Sequence, residues 1–179
     1  MALTTQADIK TFVDGYTNTT TGDIRRKRFI IYGRKGNSGD WTKLGYKQES
    51  ASVTPNYDTE EIVDINGEKY NDKTAKNETF EMSETRFNPN KTAFLMDAVK
   101  YVTASREDQL KDYQLLYVCE WLKSSTHYLA RLVDGVTLTV DNVGGQSFTT
   151  GDITFKGISQ GKIGYVDSIV SPSFTEGSV

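Results

Sequence analysis

One cysteine and one histidine among 179 residues leave little reactive chemistry. Cys119 has no intrachain partner, so a disulfide framework is excluded. One His and one Cys leave little material for a zinc site or a His-based nucleophile triad. No run of about 18 apolar residues occurs, so no helix is expected to span a membrane. Met1-Ala2-Leu3-Thr4-Thr5 lacks the basic region and apolar run of a secretory signal. Without such a signal, the triplets that begin at Asn18, Asn77 and Asn90 carry little meaning as glycosylation acceptors. A net charge of -3 supplies no general basic face for wrapping nucleic acid. What remains has the length of one domain with a sizeable core.

The chain is instead rich in strand formers. Phe29-Ile30-Ile31-Tyr32 reads as a strand, and Gly33 to Gly39 as a turn-rich loop within a long irregular stretch, 33–56. That loop lacks the Gly-Lys-Ser/Thr ending of a phosphate cradle. Ile62, Val63 and Ile65 predict a strand ending at Asn66-Gly67, a strong hairpin signal, with Lys69-Tyr70 returning. Thr79 to Met82 reads as a further strand. Asn88-Pro89 before Phe94, Leu95, Ala98, Tyr101 and Val102 predicts one helix over 89–104, capped by Asn88. Tyr113 to Leu122 is apolar on both parities, so it is buried on both sides or has one face in a subunit interface. Tyr128–Val133 reads as its hairpin partner. Val136, Leu138 and Val140 alternate with Thr137, Thr139 and Asp141, and Ile153 and Phe155 with Thr154 and Lys156. Ile163 and Tyr165 sit on a last strand. Ile9, Phe12 and Val13 could dock a short turn. The fold class is α+β: an antiparallel sandwich or barrel with one flanking helix, in a single domain over 1–179. A flexible arm (1–23) and tail (171–179) are expected at its ends.

Candidate catalytic groups read more simply as structure. No nucleophile elbow surrounds the serines near His127. Nothing basic adjoins Cys119. Glu60, Glu61 and Asp64 flank apolar residues as on a solvated strand, without the spacing of a calcium loop. No carboxylate pair, such as Glu60 with Glu120, has supporting spacing. No catalytic residue, metal or cofactor is expected.

The placement of charge says more. From Ile24 to Lys43, seven bases, including Arg25, Arg26, Arg28, Arg34 and Lys35, face Asp40 alone. From Tyr57 to Arg86, nine acids, including Glu60, Glu61 and Asp64, face four bases. One reading is two solvated faces, or neighbours that simply cancel within the subunit. Alternatively, opposite patches suit a heterologous head-to-tail contact, which repetition turns into a ring or filament. Arg25, Arg26, Arg28, Arg34, Lys35, Trp41, Tyr46, Glu60, Glu61 and Asp64 are then the stacking candidates. Tyr117 and Trp121, on the strand with two apolar faces, are the intersubunit candidates. Thr137, Thr139 and Asp141 are candidates to line a wet lumen.

Several strings, in this order, resemble the major tail tube proteins of long, flexible-tailed bacteriophages. They are Phe29 to Tyr32 with its long loop, Glu61-Ile62-Val63-Asp64-Ile65-Asn66-Gly67, Thr79-Phe80-Glu81-Met82-Ser83, the helix after Asn88-Pro89, and Gly164-Tyr165-Val166-Asp167. The resemblance covers the organisation of most of the chain. It implies a structural virion protein, made in the host bacterial cytoplasm. Its hexameric rings would stack head-to-tail into a tube through which DNA passes without specific binding. Implied partners are other copies and the tape measure, terminator and distal tail proteins, with no membrane and no cofactor. It implies that Gly33 to Pro55 forms a stacking loop. A terminator or connector of the same fold is an alternative. From another class, a monomeric carbohydrate-binding sandwich could use Trp41, Tyr46 and Tyr57 as an aromatic platform.

Overall fold

The computed structural model describes residue 3 and residues 5–19, 29–45, 50–63, 66, 68–88, 90–91, 93–144, 150–157 and 161–178. In chain order it contains α1 (Gln6–Asp14), β1 (Thr17–Asn18), β2 (Phe29–Lys35), β3 (Thr42–Lys43), β4 (Ser50–Val63) and β5 (Lys69–Arg86). Then come α2 (Met96–Thr103), β6 (Tyr113–Ser124), β7 (His127–Gly144), β8 (Thr150–Lys156), β9 (Lys162–Val166) and β10 (Phe174–Glu176). Every strand pairing among the described residues is antiparallel. The fold is the α+β class expected, an antiparallel two-sheet arrangement flanked by α2. No described helix is long and apolar enough to cross a membrane.

β7 belongs to both sheets. Its first half pairs with β6 and β9, and its second half, from Thr137, pairs with β8. Gly135, at φ 65, stands at the crossing, where a backbone that a Cβ disfavours lets the strand change direction. The first sheet runs β3-β2-β6-β7-β9-β10, with β1 beside β6. The second runs β7-β8-β5-β4.

Alternation decides which side chains meet. On the second sheet, Phe80, Met82, Leu138, Ile153 and Phe155 point inward and are almost fully buried. They pack against Leu115, Tyr117 and Val133 of the first sheet, and Leu95 and Ala98 close one end of this core. The other face of the first sheet has its own cluster: Ile30, Tyr32, Leu116, Val118, Ala130, Leu132 and Val166. Trp41, Tyr128, Ile169 and Phe174 cover it, and the Tyr32 hydroxyl donates to the Ile169 carbonyl at 2.5 Å. From Leu115 to Val118 the strand with two apolar faces is therefore buried on both sides within one subunit, while Cys119 to Leu122 are half-buried.

Several boundaries differ from the sequence reading. The helix begins at Met96, after a 3-10 turn at Ala93–Leu95. Asn88 caps an earlier turn instead, its Oδ1 accepting from the Asn90 and Lys91 amides at 2.9 and 3.2 Å. Pro89 lies outside the described residues. The 33–56 stretch is not loop throughout, since β3 hairpins onto β2 and β4 starts at Ser50. Pro55 fits there because β4 is an edge strand, where a missing N–H is tolerated. Lys69-Tyr70 and Thr79–Met82 belong to one strand, β5, whose polar middle is held by pairing with β4. Within the stretch expected as an N-terminal arm, α1 is closed by a Thr5–Asp8 capping box. Within the expected tail, β10 pairs with β9. Gly164 permits this pairing: a Cβ there would lie 2.0 Å from the Thr175 carbonyl oxygen.

Candidate functional site: the assembly surfaces

The outer face of the second sheet is polar, as its period-two pattern requires. In register across it run Ser52, Glu81, Thr154 and Thr139, and beside them Thr54, Thr79, Lys156 and Thr137. The hydroxyls of Thr137 and Thr139 donate to the carbonyls of Lys156 and Thr154 at 3.5 and 3.4 Å, and Thr154 donates to Asp141 at 3.0 Å. Thr137, Thr139 and Asp141 thus share one wet, nearly charge-balanced surface.

β4 is the terminal strand of that sheet and pairs only with β5 among the described residues. Its outer backbone groups form a row without a protein partner there, a template for another strand. From Pro55 to Val63, β4 and residues 69–78 of β5 pair with each other as a two-stranded ribbon, since β8 joins β5 only from Thr79.

The stacking candidates divide into three groups. Arg25, Arg26, Arg28, Tyr46 and Asp64 lie outside the described residues. Glu60 and Glu61 belong to β4, opposite Asp72 and Asn71, but their side chains lie outside the described part. Arg34, Lys35 and Trp41 are described and engaged within their own subunit. The Arg34 guanidinium lies 4.1 Å over the Trp41 ring, donates to Gln114 at 2.7 Å and to the Gly39 carbonyl at 3.2 Å. The Lys35 ammonium lies 3.5 Å from Asp97 and 4.6 Å over the Tyr101 ring. With one face of Trp41 taken by Arg34, and Tyr46 and the side chain of Tyr57 outside the described part, no aromatic platform is assembled among the described residues.

The intersubunit candidates separate likewise. Tyr117 is 3% exposed, stacked on Phe29 and edge-on to Phe80, so its ring offers no surface to a neighbour. Trp121 is half-buried against Phe29. His127 stacks on Tyr165 and lies 3.1 Å from Asp167.

One buried cluster is absent from the sequence reading, in which Glu78 is only one of the nine acids between Tyr57 and Arg86. Glu78 shares parity with inward-facing Phe80 and Met82, and its side chain is 3% exposed. Arg131, across the sandwich, donates one nitrogen to both its oxygens at 2.5 Å. That guanidinium also lies 4.8 Å over the Tyr117 ring. Burial pushes the Tyr117 phenol well above its usual range, and the adjoining Glu78 carboxylate, which accepts its hydrogen bond, adds to this. The cluster borders a cavity of about 390 Å³ lined by Val13, Phe29, Val53, Cys119 and Ile163. Burial raises the Cys119 thiol to about 11, which keeps it a thiol at neutral pH.

No protein-family model matches this chain, and no curated protein matches it. Solved structures do resemble it. One is the tube-terminating cap of the anti-feeding prophage: TM-score 0.47, 17% identity, covering 83% of this chain and 95% of that one. A second is the sheath/tube terminator of an extracellular contractile injection system in the extended state: TM-score 0.44, 16% identity, covering 81% and 99%. A third comes from the sheath-tube complex of such a system: TM-score 0.43, 17% identity, covering 80% and 93%. None reaches a TM-score at which two chains are taken to share a fold.

Proposed function

We propose that this chain is a structural, non-enzymatic subunit that assembles side by side into a ring belonging to a phage-tail-like tube. The observation that carries the reading is the unpartnered edge of the 14-residue β4 on a sheet whose outer face is polar. An edge of that length in a lone domain invites association, and closing a ring removes it. Edge-to-edge joining would continue the second sheet around the ring. Its Thr137, Thr139 and Asp141 face would then meet solvent in a lumen. A surface carrying Glu81, Asp141 and Lys156 neutralises few phosphates, so DNA would pass without being held. Hexameric symmetry is taken from the resemblance in the sequence.

A ring can repeat along a tube or close its end. Arg34, Lys35 and Trp41, proposed as stacking contacts of a repeating ring, are satisfied inside the subunit. That favours the terminal position, a tube terminator, over the stacked repeat. Cap and terminator are also roles named for two of the similar structures, although support here comes from the geometry.

Negative-stain microscopy of the purified protein at high concentration tests both readings. Isolated rings that do not lengthen as salt is varied support the terminator. Long tubes support the stacked repeat. Monomers throughout remove the ring.

A further inference from the structure

The polar side chains on the wall of the cavity beside Glu78 are satisfied or neutral, except Arg131. Val13 of α1, Phe29 of β2, Val53 of β4, Leu129 of β7 and Ile163 of β9 give the cavity an apolar lining. Glu78, Tyr117, Cys119 and Arg131 add its polar groups. Both Glu78 oxygens accept from Arg131, and the Tyr117 hydroxyl donates to the same carboxylate. Burial keeps Cys119 a neutral thiol, a weak donor. On Arg131, only Nη2 has an acceptor. The N–H groups of Nε and Nη1 have none among the described residues. Its side chain is only 20% exposed, so water reaches these donors in part, and a buried donor without an acceptor costs free energy.

We propose that this cavity is a binding site for a compact, uncharged, apolar molecule carrying one carbonyl group, whose oxygen accepts from the Nε or Nη1 of Arg131. The volume suits such a guest. About 390 Å³ lies within the ~300–1,000 Å³ of small-molecule sites, and a dry apolar cavity of ~150 Å³ already takes benzene. The guanidinium sets the head group. It offers two forks, Nε with Nη2 and Nη1 with Nη2, and Nη2 belongs to both. With Nη2 held by Glu78, neither fork is left for the paired oxygens of a second carboxylate. Separate donors remain, each fitted to a single oxygen. The charge agrees. Arg131 and Glu78 cancel, so an anionic guest would bury an uncompensated negative charge, and a cationic one would meet the guanidinium. A carbonyl avoids both costs, while its apolar body covers Val13, Phe29, Val53 and Ile163. The site goes beyond the tube reading and does not depend on it, since every group named belongs to one subunit.

Three probes of similar size separate these contributions. Acetophenone has a ring and a carbonyl, ethylbenzene a ring without an acceptor, and benzoate a ring with a carboxylate. Titration calorimetry of the dilute wild-type chain at two temperatures is expected to show one acetophenone bound per chain. Ethylbenzene should bind about fivefold more weakly, the effect of one lost hydrogen bond, and benzoate more weakly still. Cys119 reports the place: bound acetophenone is expected to slow its reaction with dithiodipyridine. Val13→Trp and Val53→Trp fill the cavity from two different walls, and each is expected to abolish binding while keeping the wild-type far-UV circular dichroism. No saturable acetophenone binding overturns the site. Ethylbenzene or benzoate binding as tightly as acetophenone overturns the role of Arg131. Undiminished binding in a folded tryptophan variant, or a Cys119 rate that acetophenone leaves unchanged, overturns the cavity as its place. If one variant fails to fold, the other and the Cys119 rate decide. Ring formation is judged separately under the microscope, and none of these outcomes bears on it.

Discussion

Removing Glu78 alone tests how the two sheets are joined. Its carboxylate is 3% exposed and both oxygens accept from Arg131, whose own side chain is 20% exposed. Breaking a buried pair from one side costs about 3–5 kcal/mol, because the remaining charge stays buried and unpaired. Glu78→Leu leaves a guanidinium that still reaches solvent, so the lower end applies, about 3 kcal/mol. Arg131→Leu leaves a carboxylate with almost no water and a Tyr117 ring without its cation, so about 4 kcal/mol is expected. Replacing both by leucine removes the charges together but leaves the Tyr117 hydroxyl without its acceptor, so it is expected to cost about 1–3 kcal/mol. The double mutant is thus far more stable than the two losses added. Urea denaturation followed by the fluorescence of Trp41 and Trp121 gives all four stabilities, and the cycle gives the coupling. Single losses below about 1 kcal/mol, or a double mutant equal to their sum, would refute a buried, charge-coupled joint.

Gly164→Ala places a Cβ against the Thr175 carbonyl oxygen and is expected to cost about 3 kcal/mol and detach β10. Amide exchange in Phe174–Glu176 should rise with it. Alkaline pH should also destabilise the fold. Burial raises Cys119 from 9.0 to about 11, and burial with the Glu120 charge raises Tyr32 from 10.0 to about 12. Both neutral forms are favoured by folding, so this stability is complete below pH 9 and drains away as pH climbs toward 12. A denaturation midpoint that is flat from pH 9 to 11 would contradict it.

Much of the sandwich is legible in the sequence because period-two alternation maps directly onto its two faces. Val136–Asp141 and Ile153–Lys156 are read correctly from that pattern. β5 is not, because Asn71 to Asn77 carry no apolar alternation and owe their strand to pairing with β4. α1 hides for lack of length, although Thr5 and Asp8, three apart, spell its capping box. The second apolar face of β6 shows in the sequence, but its cover does not. That cover comes from Ile169 and Phe174, far along the chain in a Ser-rich stretch. The polar face with Thr137, Thr139 and Asp141 was legible as a pattern. The engagement of Arg34 and Lys35 was not, since a cation's partner depends on which ring the fold brings to it. Glu78 carried a usable signal, its parity with Phe80 and Met82, which its charge obscured.

The central claim is that the β4 edge joins neighbouring subunits. Hydrogen exchange across Ser50–Val63, compared between dilute and assembled protein, tests it most directly. These amides are expected to gain protection on assembly while those of β6 stay unchanged. Rings whose β4 amides exchange as fast as in the monomer would contradict it.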